Sequence, residues 1–145
     1  MCIIIQTDFD YKIRKIDHNG QKEQCKVLGM EMARCPIKEY DESDLKDKVK
    51  KAAEKLNELL ELGNVVYINC TSGIGRDASV FVMYLVLYKS YSVKDAVAYV
   101  KRYRRVVCPN VEVIEEIVNA MHPDVGFGYN DYAACIAIDI SRYAY

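Results

Sequence analysis

Seven residues in the middle of the chain, Cys70-Thr71-Ser72-Gly73-Ile74-Gly75-Arg76, bring a thiol, two glycines and a guanidinium into one short stretch. A thiolate can attack phosphorus, but it must be ionised near neutral pH, and a free cysteine titrates near ~8.5. A tight loop with its backbone N–H groups turned inward, just before a helix N-terminus, favours the anion. The same N–H groups can hold the equatorial oxygens of a phosphoryl group. Gly73 and Gly75 allow the sharp turns and the close approach that this needs. Arg76 can clamp two oxygens through its planar fork, a geometry that lysine lacks. The predicted chemistry is attack by Cys70 on a phosphomonoester, cradled by Thr71, Ser72, Gly73, Ile74, Gly75 and Arg76.

A cysteine and an arginine with five residues between them make a weak signal alone, because six cysteines and seven arginines produce it readily by chance. The competing reading is a buried core cysteine followed by an ordinary turn. Context decides for the cradle. Cys70 follows an apolar run at 65–68 that reads as a central strand, and a helix that is apolar nearly all round follows at 77–88. A dinucleotide fingerprint fits worse, because its third glycine would fall at Ala78.

Other elements must hold this loop. Residues 2–5 form a β-branched apolar run, a buried strand. Residues 8–26 read as a polar surface excursion with a turn at His18-Asn19-Gly20, and 29–37 as a second strand. An amphipathic helix is expected over 44–62, ended by Gly63, with Leu45, Val49, Ala52, Leu56, Leu59 and Leu60 on one face. Ser92 opens a helix to about Arg105, and a last helix covers 111–121. Strands interleave with helices, so the predicted class is α/β with a mostly parallel central sheet flanked by helices. Ligands in such sheets sit at the carboxyl ends of strands, where Cys70 lies. The tail, 122–145, contains glycines, five aromatic residues and an ACIAIDI stretch, and fits no element.

The bulk numbers exclude several classes. The chain has 145 residues, enough for one domain with a real core, and 51% of them are apolar. Twenty basic and 21 acidic residues leave a net charge of −1, so no basic field points to nucleic acid. Six scattered cysteines with no C-x-x-C pair, and only two histidines, argue against a zinc site and against a disulfide framework. The expected setting is a reducing, cytoplasmic compartment. No apolar run reaches the roughly 18 residues of a membrane span, and no signal peptide is recognisable.

CTSGIGR resembles the signature loop of cysteine-based protein tyrosine phosphatases, and its dual-specificity branch above all. It is most similar to the CTAG-x-GR loop of laforin-like and plant glucan phosphatases. The similarity runs from about Ile3 to Val118. IIIQTDFDY resembles the family's early strand and loop, CPIKEYDESDL its general-acid loop, and KRYRRVVCPNVEVIEEI its late helices. The resemblance implies a dual-specificity fold over 1–121 that lacks the family's first strand and helix. It implies Cys70 as nucleophile, Arg76 as phosphate clamp, and a two-step reaction through a phosphocysteine with no metal or cofactor. The implied substrates are phosphorylated proteins or phosphoglucans, and the alternative is an impaired pseudophosphatase that binds phosphorylated partners.

Three positions depart from the family pattern. Asn69 replaces the histidine before the cysteine and brings no cationic character. The general acid is Glu39 by position or Asp41, whose competing role is to cap the following helix. Asp77 stands where relatives carry Ser, Thr or Ala. A carboxylate within ~6 Å of a thiolate would cost about 0.7–2.8 kcal/mol, against about 0.3–2 kcal/mol returned by the helix N-terminus. Its effect therefore depends on its direction, inward to the site or outward as a first-turn residue. Tyr11 and Tyr40 are the candidate platforms for stacking on a sugar.

Overall fold

Burial of the first apolar run organises the sheet. The structure, a computed structural model, describes residues 1–121. In chain order the elements are β1 (Cys2–Ile4), α1 (Asp8–Arg14), α2 (His18–Val27), β2 (Met32–Arg34), α3 (Glu42–Glu61), β3 (Tyr67–Asn69), α4 (Arg76–Lys89), α5 (Val93–Tyr103) and α6 (Val111–Met121). β1 lies between β2 and β3 and runs parallel to both, with Ile3 opposite Ala33 on one side and Ile68 on the other. Ile3, Ile4 and Ile5 are fully buried, each worth about 1.5–3 kcal/mol of transfer free energy. The expected α/β class with a parallel sheet is what the chain forms.

Because all three strands are parallel, their carboxyl ends gather on one side, and the loops that leave them meet there. The helices form the rest of the core. α3 buries Leu45, Val49, Ala52, Ala53, Leu56 and Leu59 against α4, whose Val80, Val82 and Met83 are fully enclosed. The 44–62 and 77–88 expectations thus hold to within a residue or two.

The stretch 8–26 corrects the sequence reading, since it folds as two helices. Thr7 and Asp10 make a reciprocal capping box, in which the Asp10 N–H donates to Thr7 Oγ1 at 3.2 Å and the Thr7 N–H donates to Asp10 Oδ2 at 2.8 Å. The Thr-x-x-Asp spacing was the available signal. His18-Asn19-Gly20 is no turn. It is the first turn of α2, where Asp17 Oδ1 accepts the Gly20 N–H at 3.0 Å, and glycine costs little so near a helix start. The predicted strand at 29–37 shrinks to the three residues of β2, entered through Gly29 at φ +64°. The tail at 122–145 lies outside the described residues.

Candidate active site

The loop from Cys70 to Arg76 joins the end of β3 to the start of α4. Cys70 is buried, and its Sγ accepts the Gly73 N–H at 3.2 Å, so the backbone curls over the sulfur. Gly73 takes φ +67°, so the conformation favours glycine, and the nearest atom to a Cβ there would be the movable end of Arg104, Nη2 at 2.9 Å. Gly75 has φ −109°. The conformational demand expected of both glycines therefore falls on Gly73. The loop's far wall is pinned by Ser79, a buried hydroxyl the sequence reading passed over. Its Oγ donates to the Gly75 carbonyl at 2.9 Å and accepts the Asn110 N–H at 2.9 Å. The Cys108 N–H also donates to the Ile74 carbonyl at 2.8 Å.

Arg76 opens α4 yet is only 6% exposed. A buried guanidinium needs partners, and it has four bonds to them. Nη1 donates to Asp10 Oδ2 at 2.7 Å and to the Ile37 carbonyl at 2.8 Å. Nη2 donates to Asp10 Oδ1 at 3.2 Å and to Thr71 Oγ1 at 2.9 Å. Nε is buried and has no partner. Burial alone would raise the Asp10 carboxyl. The hydrogen bonds from Arg76 and Thr7, with the charge of Arg76, outweigh it and hold the pKa down to about 2. For Arg76, burial works against the charged form, but Asp10 more than compensates and raises its pKa. Asp10 is thus a buried anchor that the sequence reading missed. The carboxylate that closes the α1 capping box also orients Arg76, 66 residues away.

The two candidate acids separate clearly. Glu39 Oε2 lies 3.7 Å from Arg76 Nη2 and 3.9 Å from Arg14 Nη2, on the rim of the same site. Asp41 is the N-cap of α3, where its Oδ1 accepts the Asp44 N–H at 2.9 Å, and it pairs with Lys38 at 3.6 Å. Asp77 turns outward. Its Oδ1 accepts the Ala78 N–H at 2.8 Å, and it lines a separate groove with Tyr103 and Arg104 on the loop's outer side.

Above the loop opens a broad cleft of about 1700 Å³, into which Ser72, Ile74, Gly75 and Arg76 face. Its rim carries Phe9 at 70%, Ile13 at 59% and Tyr40 at 97% exposure. Of the two tyrosines expected as platforms, Tyr40 stands exposed on the cleft rim. Tyr11 does not, because it is buried, donates its hydroxyl to Gln21 Oε1 at 3.1 Å and packs against His18. Phe9, two residues earlier on α1, faces the cleft instead.

Known proteins resemble this chain in sequence and in fold. The family model described as "Dual specificity phosphatase, catalytic domain" matches residues 2–122. The chain is 33% identical over 81 residues to the putative tyrosine phosphatase 123R of Invertebrate iridescent virus 6, covering 56% of this chain and 57% of that protein. It is 28% identical over 94 residues to the amyloplastic phosphoglucan phosphatase DSP4 of Castanea sativa, covering 63% and 25%. It therefore spans about a quarter to just over half of these relatives' lengths. The crystal structure of human DUSP28 superposes with a TM-score of 0.65 over 86% of this chain and 80% of that one, at 19% identity, a likeness of fold. With the matched family model spanning β1 through α6, the chain belongs to the dual-specificity phosphatase catalytic-domain family of the protein tyrosine phosphatase superfamily.

Proposed function

We propose that the chain hydrolyses phosphomonoesters through a phosphocysteine on Cys70. The sulfur attacks phosphorus as the ester oxygen leaves, and Glu39 gives that oxygen its proton. Water then attacks the phosphocysteine while the Glu39 carboxylate takes a proton from it, the S–P bond breaks, and inorganic phosphate, the free thiolate and the protonated acid result. The observation that carries this reading is the Cys70–Arg76 loop itself. Its backbone N–H at 73 points at the sulfur, while Arg76, a buried guanidinium with an unpartnered Nε, lines the adjoining cleft. Inward N–H groups and the start of α4 would hold the phosphoryl oxygens. Asp41 is assigned to capping, because its carboxylate is already committed to the first turn of α3.

The proposed substrates are phosphorylated proteins or phosphoglucans, seated against the open rim of Phe9, Ile13 and Tyr40. A thiolate nucleophile suits a reducing, intracellular setting. No helix among the described residues is long and apolar enough to cross a membrane.

One observation favours a second reading, a module that binds phosphate but turns over poorly. Both terminal nitrogens of Arg76 are already engaged by protein partners. The deciding experiment is steady-state hydrolysis of a small aryl phosphate from pH 5 to 8 by the wild-type chain and by Cys70→Ser. The expected result is turnover that the variant abolishes. A folded wild type that binds tungstate without turnover would favour the second reading, and turnover that survives in Cys70→Ser would refute the mechanism.

A further inference from the structure

A guanidinium has five N–H hydrogens, and in Arg76 the protein holds four of them. Asp10 takes one from each terminal nitrogen, so it engages the end of the fork in bidentate fashion. The Ile37 carbonyl takes the other hydrogen of Nη1, at 2.8 Å. The Thr71 hydroxyl takes the other hydrogen of Nη2, at 2.9 Å. Only Nε–H is left without a partner, and it is buried.

A phosphoryl group needs two N–H groups on one edge of the fork to be held in two places. With the end edge taken by Asp10, the remaining two-pronged edge is Nε together with Nη2. One prong is unpartnered, and the Thr71 hydroxyl sits on the other. We propose that Thr71 is a positioning residue, a placeholder on Nη2 that a phosphoryl oxygen displaces when the fork closes on its ligand. This rests on the cradle reading given above.

The hydroxyl suits the task. In the free protein it satisfies an N–H that would otherwise be buried without a partner. When displaced it can keep donating to Asp10 Oδ1, now 3.4 Å away. The exchange therefore trades one acceptor for a charged one and leaves the Asp10 anchor in place. Thr71 also follows Cys70 directly, so its displacement is felt at the base of the loop.

The test is calorimetric binding of tungstate, a tetrahedral oxyanion that is not turned over, to the full chain. Thr71→Val keeps the shape and removes the acceptor. It is expected to bind tungstate about two- to tenfold more tightly, as one net hydrogen bond no longer has to be exchanged. Its melting temperature without tungstate should fall, and the rise on adding tungstate should be larger than for wild type. Thr71→Ser, which keeps the hydroxyl, should restore wild-type behaviour in both measurements. If Thr71 merely supported the loop, Thr71→Val would bind tungstate more weakly and gain less in melting temperature. Equal or weaker binding overturns the placeholder role while leaving the cradle standing. A wild-type chain that binds no tungstate overturns the cradle reading, and this inference with it.

Discussion

Arg76 and Glu39 face the same cleft, yet the protein holds them in opposite ways. Arg76 is buried and makes four hydrogen bonds, three of them at 2.9 Å or less. Glu39 has two long ionic contacts, 3.7 and 3.9 Å, on a loop whose next residue, Tyr40, sits at φ +59° and is almost wholly exposed. A left-handed tyrosine costs of order 1 kcal/mol and persists where the surroundings impose it. Here the loop is tied at the two residues before the acid. The Ile37 N–H donates to the Ile5 carbonyl at 3.0 Å, and the Lys38 N–H donates to Asp44 Oδ2 at 2.8 Å. The lesson is a division of labour. The proposed oxyanion-binding arm is fixed into the core, whereas the proposed proton-donating arm is held at the rim by two longer ionic contacts.

Three substitutions probe that contrast. The largest effect is expected at the fixed arm. Asp10→Asn breaks a buried ion pair and should cost about 3–5 kcal/mol, read as a lower urea midpoint and a loss of oxyanion binding. Its pH signature follows from the depressed Asp10 pKa. Against an unfolded value of about 4, the folded carboxyl at about 2 contributes stability that is complete above pH 4. That contribution drains away as pH falls through 2. The acid limb of a stability–pH curve should be steeper in wild type than in Asp10→Asn, and identical limbs would break the assignment of Asp10 as anchor.

Next comes the arm at the rim. Glu39→Gln should lower kcat on an alkyl phosphate, a poor leaving group, by roughly 10²- to 10⁴-fold. It should lower kcat far less on an aryl phosphate that leaves without protonation, and leave the urea midpoint nearly in place. Equal losses on both substrates would remove Glu39 from the acid role. The smallest effect belongs to Asp41→Ala, which should cost about 1 kcal/mol of stability through the lost cap. It should not reproduce the leaving-group dependence of Glu39→Gln. If it does, the two carboxylates have been assigned the wrong way round.

The difference between the arms also marks how far the site was legible in the chain. Cys70 and Arg76 stand in one uninterrupted strand–loop–helix segment, so their spacing and the periodicity around them carried the information. Asp10 has no such signal, because nothing near it in sequence names its partner. Its only local mark is the Thr7-x-x-Asp10 cap, concealed in a polar stretch that reads as surface. Glu39 and Asp41 look alike as sequence, two acids within three residues. They part only when α3 begins at Glu42 and its open N–H groups claim Asp41. Tyr11 and Phe9, two positions apart on α1, were separable only by knowing which face of that helix meets β2 and which meets the cleft.

The sequence by itself determined β1, the helices from α3 onward and the loop. A β-branched run makes β1, 3.6-residue periodicity makes α3, side-chain caps set the starts of α1, α2, α3 and α5, and Gly73 permits the backbone to curl over Cys70. All of these are interactions between near neighbours in the chain. Only the tertiary structure decided which carboxylate anchors Arg76, that Asp77 turns away from the cleft, and that Thr71 sits on the fork. Those outcomes depend on β1 pairing in parallel with β3, which sets the loop after residue 5 beside the loop after residue 69. Contacts across such distances are fixed by sheet register and burial, and no local pattern in the chain records them.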